Sequence, residues 1–181
     1  MTTAAPNPSK TRVGSPSALE RDESALTRLT TLTQLVEGAW ALAVSEDAYR
    51  REQVTDQLQA SLGELPVRTV SLAATPTDLL RTLDDISEAT DHPAPVVVFN
   101  DVGRADTDIF DYLDLQRDKL ARLPHRLLFW VTEADAREFV QHAPNFASRL
   151  SGVFRFQGDT SLLAQAVGEA VTQPGVTTPR T

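Results

Sequence analysis

The feature that most narrows what this chain can become is a set of short, continuously apolar runs set between longer amphipathic stretches. Val96-Val97-Val98-Phe99 and Leu127-Leu128-Phe129-Trp130-Val131 contain no polar residue, and Trp40-Ala41-Leu42-Ala43-Val44 is a third such run. A strand with one wet face alternates apolar and polar residues, whereas a strand apolar throughout is covered on both faces. Three adjacent β-branched residues at 96–98 also disfavour helix. Val67 to Leu72 and Val153-Phe154-Arg155-Phe156 complete a set of five predicted strands.

Helical spacing fills the intervals. Leu26, Leu29, Leu32 and Leu35 mark a helix near 24–36, and Val54, Leu58 and Leu62 mark one over 47–62 that ends at Gly63. Leu79, Leu83 and Ile86 follow Thr75 and Pro76, which suit an N-cap and a first-turn position. Ile109, Leu113, Gln116 and Leu120 line one side of a helix over 106–122. Ala136, Phe139, Val140 and Ala143 mark a helix stopped by Pro144, and Leu162, Leu163, Ala166, Val167 and Ala170 a closing one. Strands and helices in this order predict an α/β three-layer sandwich with a mostly parallel five-stranded sheet.

At 181 residues the chain suits one well-buried core. Residues 1–23, rich in Thr, Ser, Ala and Pro, read as a disordered N-terminal tail, 24–172 as a single α/β domain, and 173–181 as a flexible C-terminal tail. No cysteine is present, which excludes disulfides and thiolate metal sites. His92, His125 and His142 show no metal-ligand spacing, and no Gly-x-Ser-x-Gly elbow occurs. The net charge of -8 disfavours binding to a nucleic-acid backbone. The apolar runs fall short of the ~20 residues of a membrane helix, and Met1 to Pro6 lacks the basic start of a secretory signal, so a cytoplasmic location is expected. Trp40 and Trp130, inside apolar strands, are expected in the core.

In such a sheet a ligand sits at the carboxyl ends of the strands, near the point where strand order reverses. A phosphate-binding loop there needs glycines, so that backbone N–H groups close around the phosphates, and a lysine to reach them. The first strand instead leads into Ser45-Glu46-Asp47-Ala48-Tyr49-Arg50-Arg51, without either residue type. Asp47 is expected to cap the next helix, with Glu46 favourably placed at its dipole. The third strand ends in Asn100-Asp101, which suits turn chemistry but also resembles the way P-loop enzymes present a metal-binding aspartate. Thr132 is expected to cap the helix after the fourth strand, with Glu133 in its first turn.

The stretch from Leu113 to Phe156 carries a resemblance. Arg117-Asp118-Lys119-Leu120-Ala121-Arg122-Leu123, then Phe129-Trp130, Ala143-Pro144-Asn145-Phe146 and Ser151-Gly152-Val153-Phe154-Arg155-Phe156 follow in order. This order resembles an N-terminal module of bacterial tetratricopeptide-repeat and NACHT-like signalling proteins, a P-loop-NTPase-like fold without its phosphate-binding loop. Where that family carries tryptophans after Asp-Phe, this chain has Ala147 and Arg149, and Leu150 replaces the family's arginine before Ser-Gly. The resemblance implies a free-standing version that meets its signalling partner in trans.

The expectation is therefore a non-catalytic protein-interaction module, an adaptor or regulator in bacterial signalling or defence, with no cofactor and another protein as partner. Arg117, Arg122, Asn145, Phe146 and Arg149 are the candidate contact residues. One alternative is a receiver-like phosphoacceptor switch, with Glu46, Asp47 and Asp101 holding Mg²⁺ and Asp101 accepting the phosphoryl group. Such a switch wants a lysine after the last strand, where Gln157-Gly158-Asp159 stands. A divergent nucleotide hydrolase is the second alternative.

Overall fold

A computed structural model describes residues 17–73, 78–89, 93–105 and 108–157. In chain order they form α1 (Ala18–Leu35), β1 (Trp40–Val44), α2 (Ala48–Ser61), β2 (Val67–Ser71), α3 (Leu79–Glu88) and β3 (Val96–Asn100). A short 3-10 turn (Val102–Arg104) leads into α4 (Ile109–Leu120), β4 (Arg126–Val131), α5 (Glu133–His142), α6 (Pro144–Ala147) and β5 (Gly152–Arg155). The helices expected to open at Thr75–Pro76 and to close the chain at 162–170 fall on or begin in residues outside this set. Within it, α3 is capped by the Asp78 side chain, which accepts from the Arg81 N–H.

All five strands are parallel, in the order β2-β3-β4-β1-β5. The unbroken apolar runs have the expected cause, because both faces of the central strands are covered. Trp40, Leu42, Val44, Val97, Phe99, Leu127, Phe129 and Val131 pack under α3, α4, α5 and α6. The alternate residues Ala41, Ala43, Val96, Val98, Leu128 and Trp130 pack under α1 and α2, with Phe154 and Phe156 from the β5 end. Each large side chain so buried contributes about 1.5–3 kcal/mol relative to exposure. Trp40 and Trp130 are both core residues, and the Trp130 indole N–H donates to Thr55 Oγ1 at 3.0 Å.

The N-terminal boundary differs from the sequence reading. Residues 18–23, assigned there to the disordered tail, are the opening turns of α1. Ser17 and Glu20 form a reciprocal capping box, the Ser17 side chain accepting from the Glu20 N–H and the Glu20 carboxylate from the Ser17 N–H. That arrangement satisfies the exposed donors of the first turn and lets the helix begin before its apolar spacing does. Asp22, in the same stretch, is 1% exposed. It accepts from Arg50 of α2 at 2.9 Å and from the Gln157 N–H just past β5 at 3.0 Å, joining three elements.

Candidate functional site

The crevice of this sheet lies between β1 and β4. These neighbours send their following helices to opposite faces, α2 to one side and α5 to the other, which is the condition for a ligand site at the carboxyl ends. The ends of the two strands are stitched together by the Ser45 N–H donating to the Val131 carbonyl at 3.0 Å.

The connection from β1 to α2 is short, running only from Ser45 to Asp47 before the helix starts at Ala48. Asp47 is the N-cap, its carboxylate accepting from the Tyr49 N–H at 2.9 Å. One turn into the helix, Arg51 folds back on this loop. Its guanidinium donates to the Ser45 carbonyl from Nη2 at 2.7 Å and from Nε at 3.0 Å. A phosphate-binding loop would instead hold its N–H groups open around an anion.

Across the crevice, α5 opens on a second capping box. Thr132 Oγ1 accepts from the Asp135 N–H at 3.1 Å, and the Asp135 carboxylate accepts from the Thr132 N–H at 3.0 Å. Glu46 completes the closure from the other side. Its Oε1 accepts from the Glu133 N–H at 2.8 Å, the first residue of α5. Glu46 therefore serves the N-terminus of α5 rather than that of α2, where the sequence reading put it. The reason is topological, since α5 begins beside the end of β1. Glu133 in turn accepts from Arg155 of β5 at 2.8 Å. A positive helix terminus that attracts anions already has a carboxylate from its own chain.

The other predicted residues are dispersed. Asp101 stands in the left-handed region (φ 59°, ψ 36°), and its carboxylate accepts from Ser71 of β2 at 2.7 Å. Turn chemistry thus accounts for it. A receiver-like switch requires strand order 2-1-3-4-5, with β1 beside β3. Here β4 lies between them, so their backbones are about 10 Å apart. Glu46 and Asp47 are not brought beside Asp101, and among the described residues no three His, Asp or Glu gather as a metal site.

The candidate contact residues lie on α4 and around α6. Arg149 pairs with Asp118 at 2.6 Å, both well exposed, and Arg117 Nη1 donates to the Asp114 carbonyl at 2.8 Å. Arg122 is exposed just beyond α4. Asn145 donates to the Asp114 carboxylate at 2.8 Å. Partial desolvation raises the Asp114 pKa, but hydrogen bonds from the Asn145 side chain and the Phe146 N–H outweigh it and hold the acid below its ordinary value. Phe146, unlike the arginines, offers no exposed surface. It is fully buried, stacked on Trp40 at 4.7 Å, because α6 turns its ring inward beneath α4 and α5.

Arg51 and Asp22 escaped the sequence reading. Arg51 carried a signal, since it lies four residues after the Asp47 cap and so on the same helix side. Asp22 carried one in Ser17-x-x-Glu20, a capping-box pattern that puts the helix start ahead of it.

No family model matches the sequence, and no curated protein does. Solved structures do. The chain is similar to Drosophila ORC bound to GC-rich DNA and Cdc6, with a TM-score of 0.51 and 12% identity over 93% of this chain and 38% of that one. It is also similar to a DNA polymerase III gamma subunit-related protein of Thermotoga maritima, with a TM-score of 0.50 and 17% identity over 80% of this chain and 49% of that one. The chain thus matches less than half the length of either structure. At such identities the likeness is one of fold. The molecule is an α/β sandwich of P-loop-NTPase-like architecture, with strand order β2-β3-β4-β1-β5.

Proposed function

We propose that this domain is a non-catalytic binding module, built on a P-loop-NTPase-like sheet and used to hold another protein. The observation that supports this is the self-filled crevice. Where a nucleotide phosphate would rest, Glu46 accepts from the α5 terminus, Asp47 caps α2, and Arg51 is spent on the Ser45 carbonyl. A triphosphate brought there meets two carboxylates; each like-charge contact at 4 Å costs about 1 kcal/mol even in water. It would also have to displace every one of those hydrogen bonds.

The partner surface of this reading is the α4–α6 side, where Arg117, Arg122 and Arg149 stand near the solvent and Asn145 holds the start of α6 to Asp114. An acidic or mixed-charge protein surface suits three guanidinium groups on a chain of net charge -8. The resemblance to bacterial tetratricopeptide-repeat and NACHT-like modules supports a role in signalling or defence. Titration calorimetry with ATP and with GTP, each with Mg²⁺, tests the reading. No heat of binding is expected. Micromolar affinity would overturn the reading, and nucleotide turnover that disappears on Asp101→Ala would establish a divergent nucleotide hydrolase instead.

A further inference from the structure

The strand β2 closes one side of the sheet, and among the described residues no strand pairs with its outer edge. The Val96 N–H donates to the Pro66 carbonyl at 2.9 Å, and the Leu72 N–H donates to the Asn100 carbonyl at 3.0 Å. In the parallel register Val67 to Val96 through Ser71 to Asn100, these bonds assign the even-numbered residues of β2 to β3. The N–H and C=O of Val67 and Thr69 point the other way, off the sheet. Among the described residues nothing pairs with them. Proteins usually blunt such an edge, because it is a template for another strand.

Beside this edge is a cleft of about 370 Å³, on the face covered by α2. Its walls are Glu52, Thr55 and Asp56 from α2, Thr69 from β2, and Asn100 and Asp101 from the end of β3. Arg51 also borders it, with its guanidinium turned to the Ser45 carbonyl. Three carboxylates thus face one guanidinium that is already engaged. The Asn100 Oδ1 in this wall is buried and has no hydrogen-bond partner among the described residues. Buried carbonyl oxygens without a donor are uncommon.

We propose that the β2 edge receives an extended, basic segment of a partner protein as an added strand, with a lysine or arginine side chain seated in this cleft. Backbone pairing to Val67 and Thr69 supplies register, and the cleft supplies selectivity, the two components of strand-addition binding. A residue directly opposite Thr69 on the same face lies about 5 Å from it, within reach of the carboxylates for a long cationic side chain. The proposal rests on the domain being a binding module, and it adds a second surface on the opposite face of the sheet from α4 and α6.

The test uses a synthetic peptide of alternating threonine, lysine and valine, with a matched peptide carrying glutamate for lysine. Fluorescence anisotropy on the full chain should show the basic peptide binding, more weakly as salt rises, and the acidic one failing to bind. The double variant Glu52→Gln with Asp56→Asn should weaken binding about tenfold, the equivalent of about 1.4 kcal/mol. Thr69→Pro removes an outward N–H at an edge position that tolerates proline, and should abolish binding. If that variant does not fold, amide exchange of the unmodified chain decides, with peptide-induced protection at Val67 and Thr69 expected. Equal binding of both peptides, no binding of either, protection elsewhere, or self-association through β2 would overturn the proposal. Nucleotide binding would refute the proposed function while leaving this peptide result intact, so the two failures are distinguishable.

Discussion

Replacing Phe146 by alanine separates a structural role from a contact role at one position. The ring is fully buried, stacked on Trp40 at 4.7 Å with an interplanar angle of 16°. It meets Phe129 edge-on at 5.6 Å and lies alongside Phe139 at 5.6 Å. Truncating a buried phenylalanine costs about 3–5 kcal/mol, from lost transfer energy and the cavity left behind. Each aromatic pair adds about 0.5–1.5 kcal/mol beyond burial. The partners come from β1, β4 and α5, which the sheet and its helices hold in place, so collapse into the cavity is limited. The upper half of the range follows, about 4 kcal/mol. Urea unfolding followed by tryptophan fluorescence reads this directly, since Trp40 is the stacking partner. With a slope of about 1–3 kcal/mol per molar urea, the midpoint should fall by roughly 2 M. Phe146→Leu, which keeps most of the volume, should cost less than half as much. A Phe146→Ala protein within about 1 kcal/mol of the original would refute the reasoning and return Phe146 to the surface.

Other outcomes follow from the same geometry. Asp22→Ala removes the carboxylate that the largely buried Arg50 guanidinium and the Gln157 N–H share, leaving Arg50 its weaker bond to Gln53, and should cost about 3–5 kcal/mol in the same assay. Arg149→Ala removes an exposed pair with Asp118 and should change stability by less than about 1 kcal/mol in a thermal melt. At Gly103 an added Cβ would stand 2.5 Å from Asp135 Oδ1, so Gly103→Ala should push that carboxylate off the Thr132 cap and cost about 1 kcal/mol in the urea assay. Burial holds the His125 pKa below the ordinary imidazole value, the nearby Asp84 opposing this only in part. The unfolded chain then takes up a proton before the folded one does. Stability present above pH ~6.5 should decline as the pH falls below it, and His125→Gln should flatten that slope in melts across this range. An unchanged slope would show that His125 does not carry it.

Much of the site is legible in the amino-acid sequence. Asp47 as a cap, Thr132 as a cap with Glu133 in the first turn after it, and the missing glycine and lysine after β1 all follow from local rules. Those rules act over a few residues, which is why they can be read in a line of letters. Glu46 was misplaced because its partner, the Glu133 N–H, lies 87 residues away and is reached only through strand adjacency. Asp22 was lost to a tail for a related reason. A Thr- and Ser-rich stretch without apolar spacing looks disordered until a buried arginine and a distant backbone amide give its acid a function.

What the amino acids determined alone was the kind of sheet. Apolar runs without alternation require cover on both faces, and helices spaced between them provide it, whatever the neighbours are. What only the tertiary structure decided was which strands are neighbours. Five parallel strands of similar composition read the same in any order, because the alternation of faces carries no label for the adjacent strand. Placing β4 between β1 and β3 separates Asp101 from Glu46 and closes the crevice with the chain's own carboxylate.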